Sequence, residues 1–569
     1  MEMSSTKITC AEHAGARYQH YSPLITIHTH SFGCQLKGFQ TTLFYQIKSF
    51  SSKPRPRIAT MKFNMSFFGG LLPVFNVDAP GVIASSFGEI SAMAEALSPL
   101  LSKTASLYLP SDPEWNDLQV RGSSPRVQPN FDMVVEVGTE GDVQATVQVA
   151  NQFNVSFLAV TGTHGWTNSL NDVSHGIQIR MRRLNLTTVD AGGKSATVQG
   201  GTLQHEITRA LYPYNKQAVT GVCECVSVVG PLLAGGHSVL QARHGYALDN
   251  MISARVVLAD GSIIEASEGE NSDLFWALRG AGQNFGIVTS MVLKIYDIQR
   301  NWTVYTFIYS QDKIANLFEL VNKVDADPKR PTSMFLFGVG TKIPDIDGDK
   351  PVIAYNVGIE TSETEAGEWA QLFLEVGPVA TEIARDVDYV SLYTVLQNNI
   401  ESSTCRKEQN ILANGASIPA WNVTALSDAF SIFNELTADS RYSTSVFLLE
   451  NYGLKGVQEV DPASTSLSLE ERIYPILTSA AIWWEGNKPQ DAVDALAYAS
   501  RIRQALAVQD ERARDHTYVN YAVGGETIQQ MYGHEDWRIE RLLQLKTKYD
   551  SQNRFRFYNP LVKEHHAGS

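Results

Sequence analysis

The sequence predicts an α+β protein in which strands first alternate with helices, an antiparallel sheet with helices on one face follows, and a short tail of a helix and a turn closes the chain. Three observations carry this reading. Short apolar strands alternate with helices from Asn130 to about Ile295, longer apolar runs separated by helical stretches fill Trp302 to Trp484, and a last helix and turn lie between Thr517 and Leu561. At about 150 residues per domain, 569 residues alone would allow three to four folding units. The change of texture near Trp302 marks a boundary between two differently built regions.

In chain order, Met133–Val137 reads as a strand and Gly141–Ala150 as the helix after it, with Val143, Val147 and Ala150 on one face. Ser156–Val160 is a strand running into the loop Thr161-Gly162-Thr163-His164-Gly165, a β-α-β unit of the kind that presents backbone N–H groups to a phosphate. Ala196–Gly201 and Ala254–Gly261 are further strands, the second closing in an Asp-Gly turn. Ser333–Val339 and Ser445–Glu450 are long apolar strands of an antiparallel sheet, with a helix over Glu363 to Glu375 between them. A helix over Trp537 to Tyr549 and the turn Asp550–Asn553 close the chain.

Composition removes several functions. With 43% hydrophobic and 19% charged residues the chain is globular rather than disordered, and a net charge of −14 disfavours a nucleic-acid surface. No apolar run reaches the roughly 20 residues that span a bilayer. The charge is uneven: residues 1–60 carry seven basic and two acidic side chains, +5 against −19 for the remainder. This leader reads equally as a transit peptide or as the product of a start codon placed too early, since Met61–Phe68 looks like a second start; from there, Lys62 followed by Phe67 to Phe75 resembles a weak signal sequence. Secretion therefore stays open. Five Asn-x-Ser/Thr sequons, at Asn64, Asn154, Asn185, Asn301 and Asn422, fit a glycoprotein. Five cysteines make no disulfide framework, and Cys223-Glu224-Cys225 lacks a second ligand pair at zinc spacing, so no metal is expected.

Four separated blocks then carry a resemblance. They are the loop Thr161–Gly165; Gly221–Gly230 followed by Gly235-Gly236 and Asp249-Asn250; Asp273–Thr289; and Tyr518-Val519-Asn520-Tyr521 with Leu545–Asp550 and Asn553-Arg554-Phe555. In this order, over about Pro129 to Phe555, they resemble the flavoproteins with a vanillyl-alcohol-oxidase-type FAD domain. Within these they resemble the berberine-bridge-enzyme-like oxidoreductases, leaning to fungal members. The resemblance implies a two-part FAD-binding domain plus an antiparallel sheet substrate domain with helices on one face. The expected boundaries are a leader at 1–60, an N-terminal segment at 61–124, the FAD-binding domain at 125–299, the substrate domain at 300–510 and the returning segment at 511–569.

The resemblance also implies FAD tethered through both His164 and Cys223, with Cys225 the competing thiol. Gly162, Thr163, Gly165, Gly230, Gly286, Val288 and Tyr518 join the cofactor set. Val226 falls where the family controls oxygen access, and a small β-branched residue there resembles the oxidases, which implies O2 as partner and peroxide as product. Tyr518 and Tyr521 are the candidate catalytic residues, against the alternative of buried packing tyrosines. Three departures stand out: Val160 replaces the family's Arg before the loop, Thr163 its second Gly, and Ala234-Gly235-Gly236 its three glycines, with His237 after them as a structural or a new polar group. A fourth bears on mechanism, because the strand that carries an acid/base group in some relatives aligns with Tyr474-Pro475-Ile476-Leu477, whose last two residues are apolar. The leading expectation is an FAD-dependent oxidase of a small alcohol, amine or sugar in specialised metabolism. The alternatives are a flavin-scaffolded non-redox cyclase and, less favoured, a carbohydrate-binding or storage protein without turnover.

Overall fold

The computed structural model describes residues 33–36, 39–42, 80–119, 124–407, 409–508 and 510–563. The second start at Met61 and the sequon at Asn64 lie outside these residues, as does most of the leader. Gly33–Leu36 and Phe39–Thr42 pair antiparallel within a unit of their own, Met1–Val77. The unit Asp78–Ser569 holds everything below.

Its first layer is a four-stranded sheet. Strand β1 (Ser106–Tyr108) lies antiparallel to β2 (Met133–Glu136), which is joined through helix α1 (Glu140–Gln152) to β3 (Ser156–Val160). Strand β4 (Gly176–Arg180) sits between β2 and β3, parallel to both. The helix starts one residue earlier and ends two later than its apolar spacing predicts. Thr139 Oγ1 accepts from the Asp142 N–H while the Asp142 carboxylate accepts from the Thr139 N–H, a reciprocal cap that the apolar pattern does not contain. Val143, Val147 and Ala150 are buried on the predicted face.

The second layer is an antiparallel sheet of β5 (Thr187–Val189), β6 (Ser195–Gln199), β7 (Met251–Val257), β8 (Ile263–Ser267) and β9 (Ile287–Lys294), in the order β8-β7-β9-β6-β5. The Asp-Gly turn joins β7 to β8, with Gly261 at φ +84° where a side chain would be strained.

The third layer is the large antiparallel sheet: β10 (Trp302–Tyr309), β11 (Met334–Thr341), β12 (Val352–Ile359), β13 (Ala380–Val387), β14 (Asn410–Ala413), β15 (Ala416–Ile418), β16 (Val446–Asn451) and β17 (Ile476–Trp484). Its order is β13-β10-β12-β11-β16-β17-β14, with β15 also on β17. One face carries the helices α2 (Ile314–Ala326), α3 (Glu363–Leu374), α4 (Val423–Ala438) and α5 (Pro489–Leu506), as the sequence predicts. Strand side chains alternate between faces, so Phe447, Leu449, Ile476, Ala480 and Ile482 enter the core with the helices. Val446, Leu448, Leu477, Ala481 and Trp483 face the other way, into a cavity.

The C-terminal helix α6 (Asp536–Tyr549) ties the last sequence block to the third. Lys546 Nζ, buried, donates to Asp550 at 2.7 Å, to the Asn284 carbonyl at 2.8 Å and to the Phe555 carbonyl at 2.8 Å. A buried ammonium is tolerated only with such partners, which explains why the Lys-x-x-x-Asp spacing accompanies the turn. Of the sequons, Asn154 and Asn185 are exposed, whereas Asn422 caps α4 through the Ala425 N–H.

Candidate active site

One cavity runs between the small sheets and the open face of the large one. It is lined by Gly162, Thr163, His164, Gly165, Cys223, Val226, Gly230, Gly286, Val288, Tyr518 and Tyr521, and not by Cys225.

Its first wall is loop backbone. After β3 the chain leaves the sheet, and the main-chain N–H groups of Thr161, Gly162, Thr163 and His164 find no acceptor among the described residues. Thr163 adopts φ +58°, so consecutive amides turn into one concavity, the arrangement that binds phosphate oxygens. Unpaired donors in a recess are costly unless a ligand takes them up, and FAD, with its pyrophosphate, fits this donor set. Gly162 is required for a second reason: a Cβ there would stand 2.7 Å from Ser227 N and 2.8 Å from Cys225 O, so only glycine lets the two loops meet.

At the junction of these loops His164 Nε2 donates to the Thr404 carbonyl at 2.9 Å, and the ring stands beside the Cys223 thiol, nitrogen and sulfur within 4.8 Å. Burial alone would lower the His164 pKa; the contacts with Cys223 and Thr404 outweigh it and raise the value. Cys225 is bonded to Cys405, 180 residues on. One bridge is no disulfide framework, but it removes Cys225 as the competing thiol, and a bridge between two remote segments leaves no spacing signature. It also leaves Cys223 as the free thiol beside His164. His164, Cys223 and Cys225 place one ligand atom each within 4.8 Å of one another, but Cys225 is spent in the bridge, so the cluster is not a metal site.

The second wall is rigid strand. Leu477 of β17 lines the cavity, and its register partner on β16 is Glu450. That carboxylate, 3% exposed, accepts from Tyr521 Oη at 2.9 Å and from Tyr452 Oη at 2.6 Å. Burial drives its pKa up, against the opposing hydrogen bonds and the nearby His237. Sequence reasoning missed Glu450; the one available signal was a carboxylate ending the apolar run Val446–Leu449. Burial, followed by the Glu450 charge, lifts Tyr521 well above the usual tyrosine range.

Tyr518 differs from Tyr521. Its oxygen accepts from the Gly236 N–H at 3.0 Å and from Asn520 Nδ2 at 2.7 Å, so its lone pairs are committed. His237 lies edge-on to Tyr518, with ring centroids 4.8 Å apart. Its Nδ1 meets Gln241 Oε1 at 3.1 Å and its Nε2 meets Glu471 Oε2 at 3.2 Å. Glu471 also takes hydrogen bonds from His516 and Ser417. Burial would raise Glu471, but the two histidines override it and bring its pKa to about 2. His237 is therefore both fully bonded and exposed to the cavity, which the sequence left as alternatives.

Comparison with known proteins fits this frame. A family model described as FAD binding domain matches residues 131–267, and one described as Berberine and berberine like matches 517–561. The chain belongs to the berberine-bridge-enzyme-like FAD-linked oxidoreductases and is such an enzyme. FAD-linked oxidoreductase anuG of Penicillium roqueforti is 31% identical over 506 residues, 88% of this chain and 98% of its own. FAD-linked oxidoreductase chyH of Penicillium rubens is 34% identical over 476 residues, covering 82% and 93%. Among solved structures, xylooligosaccharide oxidase from Myceliophthora thermophila C1 superimposes with TM-score 0.72 at 22% identity, over 83% of this chain and all of that one. Glucooligosaccharide oxidase from Acremonium strictum, described with a 6-S-cysteinyl, 8α-N1-histidyl FAD, gives 0.70 at 19%, again over 83% and 100%. At these identities the likeness establishes a shared fold. Among the described residues no helix is long and apolar enough to cross a membrane.

Proposed function

We propose that this chain is an oxidase that removes a hydride from a small organic substrate and passes the electrons to O2, within specialised metabolism. Bound FAD would supply the two-electron acceptor. In this reading residues 125–299 and 511–569 form the FAD-binding domain and 300–510 the substrate domain. The amides of 161–164 hold the pyrophosphate, and His164 and Cys223 hold the isoalloxazine covalently, as in the glucooligosaccharide oxidase. Gly165, Gly230, Gly286 and Val288 complete the cofactor wall, and Val226 leaves the oxygen path open.

The observation that carries the reading is the Tyr521–Glu450 pair at the cavity wall. Tyr521 Oη takes the proton from the substrate hydroxyl or amine while handing its own to Glu450, so that charge never accumulates on a buried tyrosine. Tyr518, with its lone pairs occupied, orients the substrate and supports the flavin side. The rest of the strand wall is largely apolar: Phe337, Ile411, Leu448 and Leu477 offer no partners for a ring of hydroxyls, and Trp483 only its one indole N–H. This supports an alcohol or amine on an apolar skeleton rather than an oligosaccharide, whose polar groups would be buried unpaired. The cyclase alternative drew on the apolar Ile476 and Leu477; Glu450 on the neighbouring strand removes that motive.

Two measurements test this. After acid denaturation FAD stays with the chain, and His164→Ala with Cys223→Ala releases it; release from the unaltered protein would refute the tether. Substrate turnover under air yields peroxide in proportion to product; product without peroxide would refute oxidase chemistry.

A further inference from the structure

Three sulfurs meet at the mouth of the flavin loop, and only one pairing of them leaves Cys223 usable. Cys223 Sγ lies 3.7 Å from Cys225 Sγ and 3.7 Å from Cys405 Sγ, the two atoms of the existing bridge. A thiol in van der Waals contact with a disulfide, with an imidazole nitrogen of His164 within 4.8 Å of its sulfur, is placed for exchange. In that step Cys223 sulfur attacks Cys405 Sγ, the new Cys223–Cys405 bond forms as the Cys225–Cys405 bond breaks, and Cys225 leaves as the thiolate. No electron enters or leaves the cluster.

The segment bearing Cys405 is held on the loop by more than the bridge. Glu224 N–H donates to the Asn398 carbonyl at 3.0 Å, and the buried Glu224 carboxylate accepts from the Ile400 N–H at 2.8 Å. His164 adds its bond to the Thr404 carbonyl. Cys405 therefore stays beside Cys223 whether or not Cys225 is bonded to it.

We propose that the Cys225–Cys405 bridge is a positioning device for cofactor attachment: by engaging Cys405 it keeps the Cys223 thiol from being consumed in a disulfide. The role in attachment rests on the proposed tether at Cys223, whereas the pairing of the sulfurs can be read without it.

The test is a non-reducing peptide map of the full-length protein after incubation with glutathione disulfide and acid quenching. Glutathione disulfide is the oxidant: two protein thiols give one disulfide and two glutathiones. In the unaltered protein Cys223 is found flavin-bearing or alkylatable. In Cys225→Ala the map shows a Cys223–Cys405 bridge, and the flavin-bearing and alkylatable fractions of Cys223 fall together. In Cys225→Ala with Cys405→Ala both fractions return. If Cys223 stays available in the single variant, or stays lost in the double one although both fold, the inference is wrong. Should the single variant fail to fold, Cys225→Ser carries the same test: a Cys223–Cys405 bridge supports the inference, and a Cys223 that stays flavin-bearing or alkylatable overturns it. Unmodified, alkylatable Cys223 throughout, with the bridge pattern as expected, would refute the tether and leave the pairing rule intact.

Discussion

The two walls of the cavity do opposite kinds of work. The loop wall, Thr161–Gly165 with Gly221–Gly230, presents backbone: four amides with no acceptor among the described residues, a glycine that admits a neighbouring loop, and two side chains at its rim. The strand wall of β11, β16 and β17 presents side chains on a rigid pleat, largely apolar except for Glu450 and the tyrosine bonded to it. The first wall suits a large, invariant cofactor recognised through its phosphates and ring; the second suits a variable substrate, because single strand residues can change without moving the sheet.

The largest expected effect separates the two tyrosines. Tyr521→Phe lowers the rate of substrate-driven flavin reduction by roughly 10²–10⁴-fold, the range for loss of a general base, with flavin content unchanged. Rapid-mixing absorbance checks this; an equal loss in Tyr518→Phe would erase the distinction drawn between them. Glu450→Gln gives a loss near the lower end of that range and changes the pH profile of kcat/KM. Ionised Glu450 is the competent form and burial raises its pKa, so activity falls as pH drops through a value above the ordinary carboxylate range of about 4. That acid limb vanishes in the glutamine variant.

Alternation along β16 gives a finer contrast. Phe447→Ala opens the helix-facing core and lowers stability by about 3–5 kcal/mol, with KM unchanged. Leu448→Ala, one residue on, raises KM by roughly tenfold, as expected for about 1–3 kcal/mol of lost apolar contact, and unfolds at nearly the original temperature. The smallest effect concerns Glu471. Because its folded pKa is depressed to about 2, the stability it contributes is present above the unfolded carboxyl value of about 4 and is lost as pH falls toward about 2. Thermal unfolding against pH shows this slope, flattened in Glu471→Gln.

The same contrast explains what was legible in the sequence. The loop wall could be read because glycines, His164 and Cys223 stand in a fixed local order, and strand β3 emerged with its boundaries intact because Ser156–Val160 is bracketed by turn residues. The strand wall could not. Glu450 faces Tyr521 only because β16 pairs with β17 in a register that puts Glu450 opposite Leu477, and because the C-terminal segment crosses back over the sheet. Neither the register nor the 71-residue separation leaves a mark on the local pattern. The Cys225–Cys405 bridge was hidden for the same reason, and the capping box at Thr139 because apolar periodicity ignores polar side chains.

The central claim is that electrons leave the substrate through the flavin. The direct measurement is the flavin absorbance of the purified protein during a substrate screen under argon, followed by admission of air. The account predicts bleaching by a hydroxyl- or amine-bearing apolar substrate, then recovery in air with one peroxide per product. Product formation with the flavin oxidised throughout would contradict it.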